Sequence, residues 1–201
     1  MALSKEAAAR IEEAVRRAEE GTRGEIVVAV AERSDGYGAP RAAFALAFAC
    51  VAAVAALALG APAWMAVAAW PAGTALGWLL TAVPAVLRAV VPADDVEREV
   101  AESAKAAFFD HGVHRTADRA GVLVYLSLDE HRVTVLGDAG IHAVVGEEGW
   151  KLHTSQIVEA MHDGHPKAVA DVVGALGTVL AQHFPPRGDN KNELPDAVRH
   201  A

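Results

Sequence analysis

Four carboxylate side chains stand where they could act together as ligands of a cation. Asp118 and Asp138 each lie close to a glycine in a polar segment. Glu25 stands at the start of a predicted strand, and Glu147 at the start of a predicted helix. Carboxylates from several loops suit a hard cation such as Ca²⁺, which takes about 6 to 8 oxygen ligands. Aspartate and glycine are also common turn formers with no ligand role. The pattern therefore predicts a divalent-cation site, with plain turn chemistry as the alternative.

Two pairs of histidines have a spacing that could bind a transition metal. His111 and His114 are separated by two residues, as are His162 and His165. Neither pair belongs to an HExxH helix, and no cysteine lies nearby. Histidine is also favoured as a cation in the last turn of a helix. We interpret these residues as helix-end histidines, with metal binding as the alternative.

The common nucleotide and hydrolase motifs are absent from the sequence. There is no GxxxxGK[ST] loop, no GxGxxG after a strand and no GxSxG elbow, which argues against a nucleotide cofactor. The single cysteine, Cys50, lies in an apolar segment, so it suits neither a thiolate nucleophile nor a disulfide framework. Hydrolysis of a phosphoester would therefore rely on the metal. The net charge of -8 argues against nucleic acid as a partner.

A long uncharged segment separates Glu25 from the other candidate ligands. Residues 42–87 contain no Asp, Glu, Lys or Arg, and about 20 apolar residues are enough to cross the hydrocarbon layer. We predict two membrane-spanning helices and a short helix at the membrane surface, at residues 42–59, 63–82 and 85–91. A helical hairpin buried in a soluble core is the alternative, but this segment offers no polar face to water.

The basic residues predict the orientation of this segment. They flank it on both sides and are absent from its turn: Arg23, Arg33 and Arg41 before it, and Arg88, Arg98 and Lys105 after it. We therefore predict a multi-pass protein of the cell membrane. By the positive-inside rule, both of its termini should be cytoplasmic. Trp64, Trp70 and Trp78 are interpreted as membrane anchors. Residues 1–40 are charged and helix-patterned, so we expect no cleavable signal peptide.

The residues around the uncharged segment have the periodicity of one α/β domain. Apolar residues at helical spacing predict helices at 4–20, 95–111, 147–162 and 166–184. Runs rich in β-branched residues predict strands at 25–31, 121–128 and 132–136. We therefore divide the chain into a cytoplasmic domain of residues 1–40 and 93–184, a membrane hairpin of residues 41–92, and a polar tail of residues 185–201.

The predicted topology places the candidate residues at two opposite ends of a small mixed sheet. The first two strands should be parallel, joined by a right-handed crossover, and the third should return antiparallel. At one end we expect Ser34 and Asp35 with Asp129, Glu130 and Arg132. At the other end we expect Glu25, Asp118, Asp138 and Glu147. Both ends are rich in acidic residues.

One stretch of the sequence carries a family resemblance. In FFDHGVHRTADRAGVLVYLSLDEHRVTVLGDAGI, together with Trp150 and the NELPD segment at Asn192 to Asp196, the chain resembles the TPM domain family, the thylakoid acid phosphatase-like domain. It is most similar to the bacterial membrane branch, in which a transmembrane hairpin interrupts the domain after its first strand. The motifs that carry the resemblance are GVLVYLSL, the turn at 130–132 and GDxGI at 137–141.

The resemblance implies a three-layer α/β/α sandwich with a small mixed sheet, interrupted by a transmembrane α-helical hairpin. It also implies binding of Ca²⁺ or another divalent metal in some members and acid phosphatase activity in others. Related domains often carry an acidic residue and asparagine before the Gly-Val-Leu strand, whereas here Asp118 is followed by Arg119. Asp138 lies in a loop that is often Gly-Tyr-Gly in the broader family. The resemblance supplies no catalytic nucleophile.

These observations leave three hypotheses for the function. The first is a membrane-tethered binding or accessory module, of unassigned pathway, whose acidic sheet edge binds a divalent cation or a partner. The second is a metal-assisted phosphomonoesterase, which rests on the resemblance alone. The third is a structural membrane protein that self-associates or binds a membrane protein through its Ala-rich spans, where small residues let helices approach closely.

Overall fold

The computed structural model describes residues 3–159, 166–186 and 192–201, and these contain both α-helices and β-strands. The helices are α1 (Lys5–Glu19), α2 (Gly38–Ala58), α3 (Ala63–Leu80), α4 (Pro84–Val90), α5 (Ala93–Asp110), α6 (Ala139–Val145), α7 (Glu147–Glu159) and α8 (Pro166–His183). The strands are β1 (Glu25–Ala31), β2 (Gly121–Ser127), β3 (Arg132–Gly137) and β4 (Arg199–His200). The chain divides into an α/β unit, Met1–Ser34 with Glu99–Ala201, and a hairpin unit, Asp35–Arg98.

The sheet of the α/β unit is mixed, with strand order β3-β2-β1-β4. Strand β1 pairs with β2 in parallel, from Glu25 opposite Gly121 to Ala31 opposite Ser127. Strand β3 is antiparallel to β2, with Gly137 opposite Val122. The predicted pairing of the first three strands is therefore confirmed. Every residue of β1 and β2 is buried, as expected for central strands that are apolar on both faces.

Helices α1 and α8 pack on one face of this sheet. Ser4 caps α1 by accepting a hydrogen bond from the Ala7 amide, and Ile11 and Val15 of α1 are fully buried. The predicted stripe of α8 is buried over its whole length: Val169, Val172, Val173, Leu176, Leu180 and Phe184. These residues form one core with β1 and β2. Apolar side chains at helical spacing thus fix the placement of both helices.

Two elements of the α/β unit were not predicted from the sequence. Helix α6 follows β3 directly, with Asp138 as its N-cap and Gly146, at φ +79°, as its C-cap. Strand β4 lies in the predicted polar tail and pairs with β1 in parallel, Ala29 opposite Arg199. The tail therefore adds a fourth strand to the sheet. His162 and His165 lie outside the described residues, as does the end predicted for the third helix of the domain.

The hairpin unit consists of α2 and α3, followed by α4. Both long helices have the length and apolar composition that can cross a membrane. They pack along a seam of small residues, which lets their backbones approach closely. A Cβ on Gly77 would lie only 2.8 Å from the Ala45 Cα, and one on Gly73 would lie 3.0 Å from the Ala49 Cα. Gly60, at φ +85°, forms the turn. Helix α3 continues through Pro71.

Candidate functional site

The acidic edge of the sheet is defined here as Glu25, Asp118 and Asp138, at the start of β1 and the neighbouring loops. The Asp138 amide donates to the Gly121 carbonyl at 2.9 Å, and the Gly140 amide donates to the Arg119 carbonyl at 3.0 Å. The Glu25 amide donates to the Ala120 carbonyl at 3.2 Å. Backbone pairing therefore brings the predicted loops to one end of the sheet. The side chain of Glu147 lies outside the described part of the structure.

Asp138 is the most buried of these carboxylates, with 4% of its surface exposed. Its Oδ2 lies 2.8 Å from the Arg119 Nε, and its Oδ1 accepts a hydrogen bond from the Arg119 Nη2 at 3.1 Å. Oδ1 also accepts from the Ala139 amide at 2.7 Å, which caps α6. Arg119 adopts φ +53°. Its guanidinium forms a two-point ion pair with Asp138.

The other two carboxylates of the acidic edge are also engaged. The Asp118 Oδ2 lies 3.3 Å from the Nε of Arg23, whose guanidinium stands 5.5 Å from the Phe184 ring centroid. Glu25 accepts hydrogen bonds from the Glu193 and Leu194 amides at 3.2 and 3.1 Å. Burial raises the pKa of Glu25 above its ordinary value, and these two hydrogen bonds oppose the rise.

The segment that crosses the acidic edge is NELPD, residues 192–196. Besides its bonds to Glu25, it accepts a hydrogen bond from the Ala117 amide through the Glu193 Oε2 at 2.8 Å. The Val198 amide then donates to the Glu12 Oε1 at 3.3 Å. This segment has no hydrophobic periodicity, and only the resemblance to TPM domains distinguishes it in the sequence. Through the Glu193 and Leu194 amides, this segment binds both carboxylate oxygens of Glu25.

The three described carboxylates of the acidic edge already have partners, and the predicted divalent-cation site stays a prediction. A calcium site needs several carboxylate and carbonyl oxygens directed at one point. Here Arg119 and Arg23 supply positive charge to Asp138 and Asp118, and backbone amides bind Glu25. Within residues 3–159, 166–186 and 192–201, no group of three His, Cys, Asp or Glu side chains could hold a metal. At the acidic edge, the carboxylates of Glu25, Asp118 and Asp138 are each engaged within the protein.

Glu19, at the end of α1, is another carboxylate near this edge. Its Oε1 accepts a hydrogen bond from the Ile26 amide at 2.8 Å. Burial raises the pKa of Glu19 to about 8, with further increases from the negative charges of Glu25 and Asp196. Glu19 is therefore largely protonated at neutral pH in the folded protein, a state that sequence periodicity did not indicate.

We expect the thermal stability of the α/β unit to fall as pH rises, because the folded state holds the Glu19 proton more tightly than the unfolded state. This stabilisation is fully present below about pH 4.5, the ordinary pKa of a glutamate, and is lost as the pH rises through about 8, the pKa of Glu19 in the folded protein. Glu19→Gln keeps an acceptor for the Ile26 amide without the titration. Between pH 4.5 and pH 8 the melting temperature of this variant should therefore depend less on pH than that of the wild type. The part of the pH dependence that comes from the raised pKa of Glu25 should remain. The exposed neighbour is the control: Glu20→Gln should leave the wild-type slope, and an unchanged slope in Glu19→Gln would contradict the prediction.

The opposite end of the sheet carries a network of hydroxyl groups. The Ser34 amide donates to the Glu130 Oε1 at 3.1 Å, which confirms the predicted meeting of these two loops. The Ser34 Oγ donates to the Ser127 Oγ at 2.9 Å, and Ser127 donates to Glu130. The Tyr125 hydroxyl lies 3.3 Å from the Ser34 Oγ. This network was not anticipated, because Ser127 and Tyr125 read as ordinary strand residues.

Charged residues surround this network. Arg33 donates to the Asp129 Oδ2 through Nε and Nη2 at 3.0 and 2.8 Å. Arg132 lies opposite Ser127 in the strand register. Asp35 belongs to the hairpin unit, where its carboxylate accepts from the Tyr37 amide at 2.7 Å. Arg33 and Asp129 thus form an ion pair on the surface of the α/β unit.

A cleft of about 480 Å³ opens beside the hydroxyl network, and all its lining residues belong to the α/β unit. Its polar lining comes from Arg33, Ser34, Ser103, Asp110, His111, Tyr125 and His200. The Ser103 Oγ donates to the Ser34 carbonyl at 3.0 Å. The cleft lies at the carboxyl ends of β1 and β2, the usual place for ligand sites in sheets with parallel strands.

The histidines predicted as alternatives for metal binding have different surroundings. His111 lines the cleft, and its Nε2 is buried without a hydrogen-bond partner in the described structure. His114 packs against aromatic rings, 5.1 Å from the Phe109 centroid. Burial and the nearby charge of Arg199 lower the pKa of His111. His111 is therefore predominantly neutral at pH 7.

Comparisons with known proteins bear on the fold alone. No protein-family model matches the chain. No curated protein matches it either. The chain is similar in structure to the NMR structure of the BA42 protein from the psychrophilic bacterium Bizionia argentinensis, with a TM-score of 0.60 and 19% sequence identity. That similarity covers 100% of this chain and 97% of the other.

Proposed function

We propose that this protein is a membrane-anchored binding or accessory module, in which an α/β domain is held at the cytoplasmic surface of a bilayer by the α2–α3 hairpin. The observation that carries the proposal is the distribution of side chains on the hairpin. Apart from Arg41 at the start of α2, its two helices carry no charge, and they bury only small residues: Ala45 and Ala49 of α2, and Ala66, Gly73 and Gly77 of α3. Lipid is the solvent that such a surface fits.

Many of the large apolar side chains of α2 and α3 are exposed. Val51 and Val67 expose 68% and 73% of their surface, and Trp64 exposes 70%. A hairpin buried in a soluble core would hide such residues, so their exposure supports the membrane interpretation. The glycines of α3 are used for packing within the hairpin, which leaves less support for self-association through them.

The orientation follows from the ends of the helices. Arg41, at the start of α2, donates to the Thr81 Oγ1 at 2.9 Å, and its guanidinium stands 4.6 Å from the Trp78 ring centroid. This end of the hairpin therefore carries a basic residue and an aromatic anchor together, while the turn at Gly60 has no charge. We infer that the Arg41 end faces the cytoplasm and that both termini lie there.

We further infer a three-layer arrangement of the α/β unit. Helices α1 and α8 cover the face formed by Ile26, Val28 and Val30. The opposite face, with Val27 and Ala29, is equally buried. Helix α5 buries Val100, Ala104, Ala107 and Phe108 and is the element suited to cover it. This arrangement agrees with the sandwich implied by the resemblance to TPM domains. The resemblance itself is still a prediction from the sequence motifs.

Binding is a better proposal than catalysis for the acidic edge. Neither Asp118 nor Asp138 offers an unpaired carboxylate in the arrangement described above, so a metal-assisted phosphatase has no supporting geometry there. A binding module needs only an anchored domain with an accessible polar surface. The cleft at the carboxyl ends of the strands supplies such a surface.

Membrane insertion and orientation can be tested with single cysteines in a Cys50→Ala background. We expect the protein in the membrane fraction after alkaline carbonate washing. An impermeant maleimide should label Ala61→Cys, at the hairpin turn, in intact cells or spheroplasts. Ser4→Cys, before α1, is the matched control and should be labelled only after lysis. Full-length protein recovered as a detergent-free monomer in the high-speed supernatant would overturn the proposal, and labelling of Ser4→Cys in intact cells would overturn the orientation.

A further inference from the structure

Strand β3 lies at the edge of the sheet of the α/β unit. The strand order is β3-β2-β1-β4, so β3 pairs with β2 on one side, and no described strand pairs with its other side. Every residue of β2 is buried, whereas no residue of β3 is. A strand at the edge of a sheet presents unpaired amides and carbonyls that can pair with another strand. Strand β3 is therefore a candidate interaction surface.

The backbone groups on the outer side of β3 belong to Val133, Val135 and Gly137. Backbone direction alternates along an antiparallel strand, and the Asp138 amide donates to the Gly121 carbonyl of β2 at 2.9 Å. Val133, Val135 and Gly137 therefore direct their amides and carbonyls away from β2. In the part of the chain that the structure describes, these groups have no backbone hydrogen-bond partner. They form one row of alternating donors and acceptors.

Strand β3 lacks the features that usually prevent pairing between sheet edges. Proteins protect such edges with proline, with charged side chains along the strand or with a β-bulge. The strand sequence RVTVLG contains no proline, and its one charge is Arg132 at the first position. Pairing with β2 is continuous from Arg132 to Gly137, so the strand has no bulge. Its outer side is therefore open to a further strand.

We propose that the outer side of β3 pairs with β3 of a second copy of this chain, in an antiparallel arrangement centred on Val135. In that register the two Val135 residues lie opposite each other, and Val133 lies opposite Gly137 of the second copy. Residues at alternate positions of an antiparallel pair exchange both backbone hydrogen bonds. The outer rows of the two strands therefore satisfy each other, and two four-stranded sheets become one continuous sheet.

The side chains of β3 suit this pairing on both faces of the sheet. Val133 and Val135 are partly buried against the core that α1 and α8 form with the sheet. Thr134 and Leu136 lie on the opposite face, because successive side chains of a strand alternate, and they are also only partly buried. In the proposed register, Thr134 lies opposite Leu136 of the second copy. Pairing would therefore cover apolar surface that a single chain leaves partly exposed.

The charges at the two ends of β3 favour the antiparallel direction. Arg132 is exposed at the start of the strand, and Asp138 of the acidic edge follows its end. The proposed register places Arg132 opposite Asp138 of the second copy, so unlike charges are brought together. Because Asp138 already has Arg119 as its partner, this attraction is long-range rather than a new ion pair. A parallel pair in register would place the two Arg132 side chains side by side, which is destabilising.

Sedimentation velocity of the full-length protein in an uncharged detergent measures the association. Pairing of two short edge strands buries little surface, and interfaces of that size are typical of weak, reversible complexes. We therefore expect a Kd on the order of 10 µM, with monomer predominating at about 1 µM protein and dimer at about 100 µM. A Cys50→Ala background removes the exposed thiol of α2 from all of these measurements.

Disulfide formation between two single-cysteine variants tests the register. In the proposed pair, Thr134 and Leu136 of the second copy form a non-hydrogen-bonded pair with Cα atoms about 4.5 Å apart, a separation that a disulfide can bridge. Two copies of the same residue lie diagonally, about 7–8 Å apart, which is too far. A mixture of Thr134→Cys and Leu136→Cys should therefore form the mixed disulfide at least about tenfold faster than either variant links to itself. A size tag on one variant separates the three products on a gel.

Val135→Pro tests the backbone pairing. Proline is tolerated in an edge strand where its nitrogen is directed to solvent, so the single chain should still fold. The substitution removes the central amide of the outer row, and its ring would contact the second copy. The dimer should therefore weaken at least about tenfold. Val135→Thr keeps the amide and the β-branched shape, so it is the matched control and should associate like the wild type. Melting curves of the dilute proteins show whether each variant is folded.

The proposal is overturned if the full-length protein is still a monomer at about 100 µM. A dimer that is unchanged in folded Val135→Pro would place the contact elsewhere, such as the α2–α3 hairpin, and would overturn it as well. Should Val135→Pro fail to fold, the cysteine mixture decides alone: mixed and self-linked disulfides that form at equal rates would contradict the register. None of these measurements depends on membrane insertion, so failure here is distinguishable from failure of the membrane anchor.

Discussion

Gly121→Ala is expected to lower the melting temperature of the α/β unit by on the order of 10 °C. Gly121 begins β2, and a Cβ at this position would lie 2.3 Å from the Val113 carbonyl oxygen and 2.8 Å from the Val113 Cγ1. The backbone turn at residues 113–115 leaves no room for a methyl group. Overpacking typically costs about 1–3 kcal/mol, and a contact with backbone, which cannot move aside as a side chain can, belongs at the upper end of that range. Circular dichroism of the full-length protein during heating measures the change.

Gly174→Ala is the matched control for this substitution. Gly174 lies within α8, and apart from the adjacent helix backbone nothing lies within 4 Å of its potential Cβ. Alanine is the better helix former by roughly 0.5–1 kcal/mol, so this variant should melt at or slightly above the wild-type temperature. Equal melting temperatures for Gly121→Ala and Gly174→Ala would show that the start of β2 does not lie in close contact with the Val113 turn.

Close contacts of this kind explain which parts of the fold could be predicted from the sequence. The apolar stripe of α8 and the doubly apolar strands β1 and β2 repeat over many residues, so their periodicity determined their type and their pairing. The two hairpin helices were detectable for the same reason, because absence of charge over residues 42–87 is a property of the whole segment. Long elements carry redundant signals that survive errors at single positions.

Short elements and single contacts lack that redundancy. Strand β4 has two residues and is held by its pairing with Ala29 and Val30, so its neighbours rather than its own sequence determine it. Helix α6 has seven residues, although the Asp138 cap and Gly146 stop were visible signals for it. Arg119 pairs with Asp138 while its backbone is left-handed, at φ +53°, a conformation that residue types alone do not reveal. The sequence therefore located the acidic edge correctly but could not show that its carboxylates are already paired.

Substitution of Arg119 is expected to have the second large effect. Asp138 is 4% exposed, and Arg119→Ala would leave this buried carboxylate with only the α6 amide as a partner. Loss of the ion pair should destabilise the α/β unit by about 1–3 kcal/mol, with the lower end set by the half-exposed Arg119 side chain. Arg119→Lys should recover part of the loss, because a single ammonium cannot reproduce the two-point geometry. Urea denaturation of wild type, Arg119→Ala, Asp138→Ala and the double variant gives the coupling energy.

The same arginine determines how the acidic edge responds to calcium. In the wild-type protein the guanidinium of Arg119 already supplies the positive charge beside Asp138, so millimolar Ca²⁺ should leave the melting temperature unchanged. Arg119→Asn removes that charge and leaves the buried Asp138 carboxylate with the Ala139 amide as its partner. In this variant Ca²⁺ should raise the melting temperature in a concentration-dependent way, as any ligand of the folded state does. A calcium-dependent rise in the wild type would instead show that a divalent cation displaces Arg119, and it would restore the metal site implied by the resemblance to TPM domains.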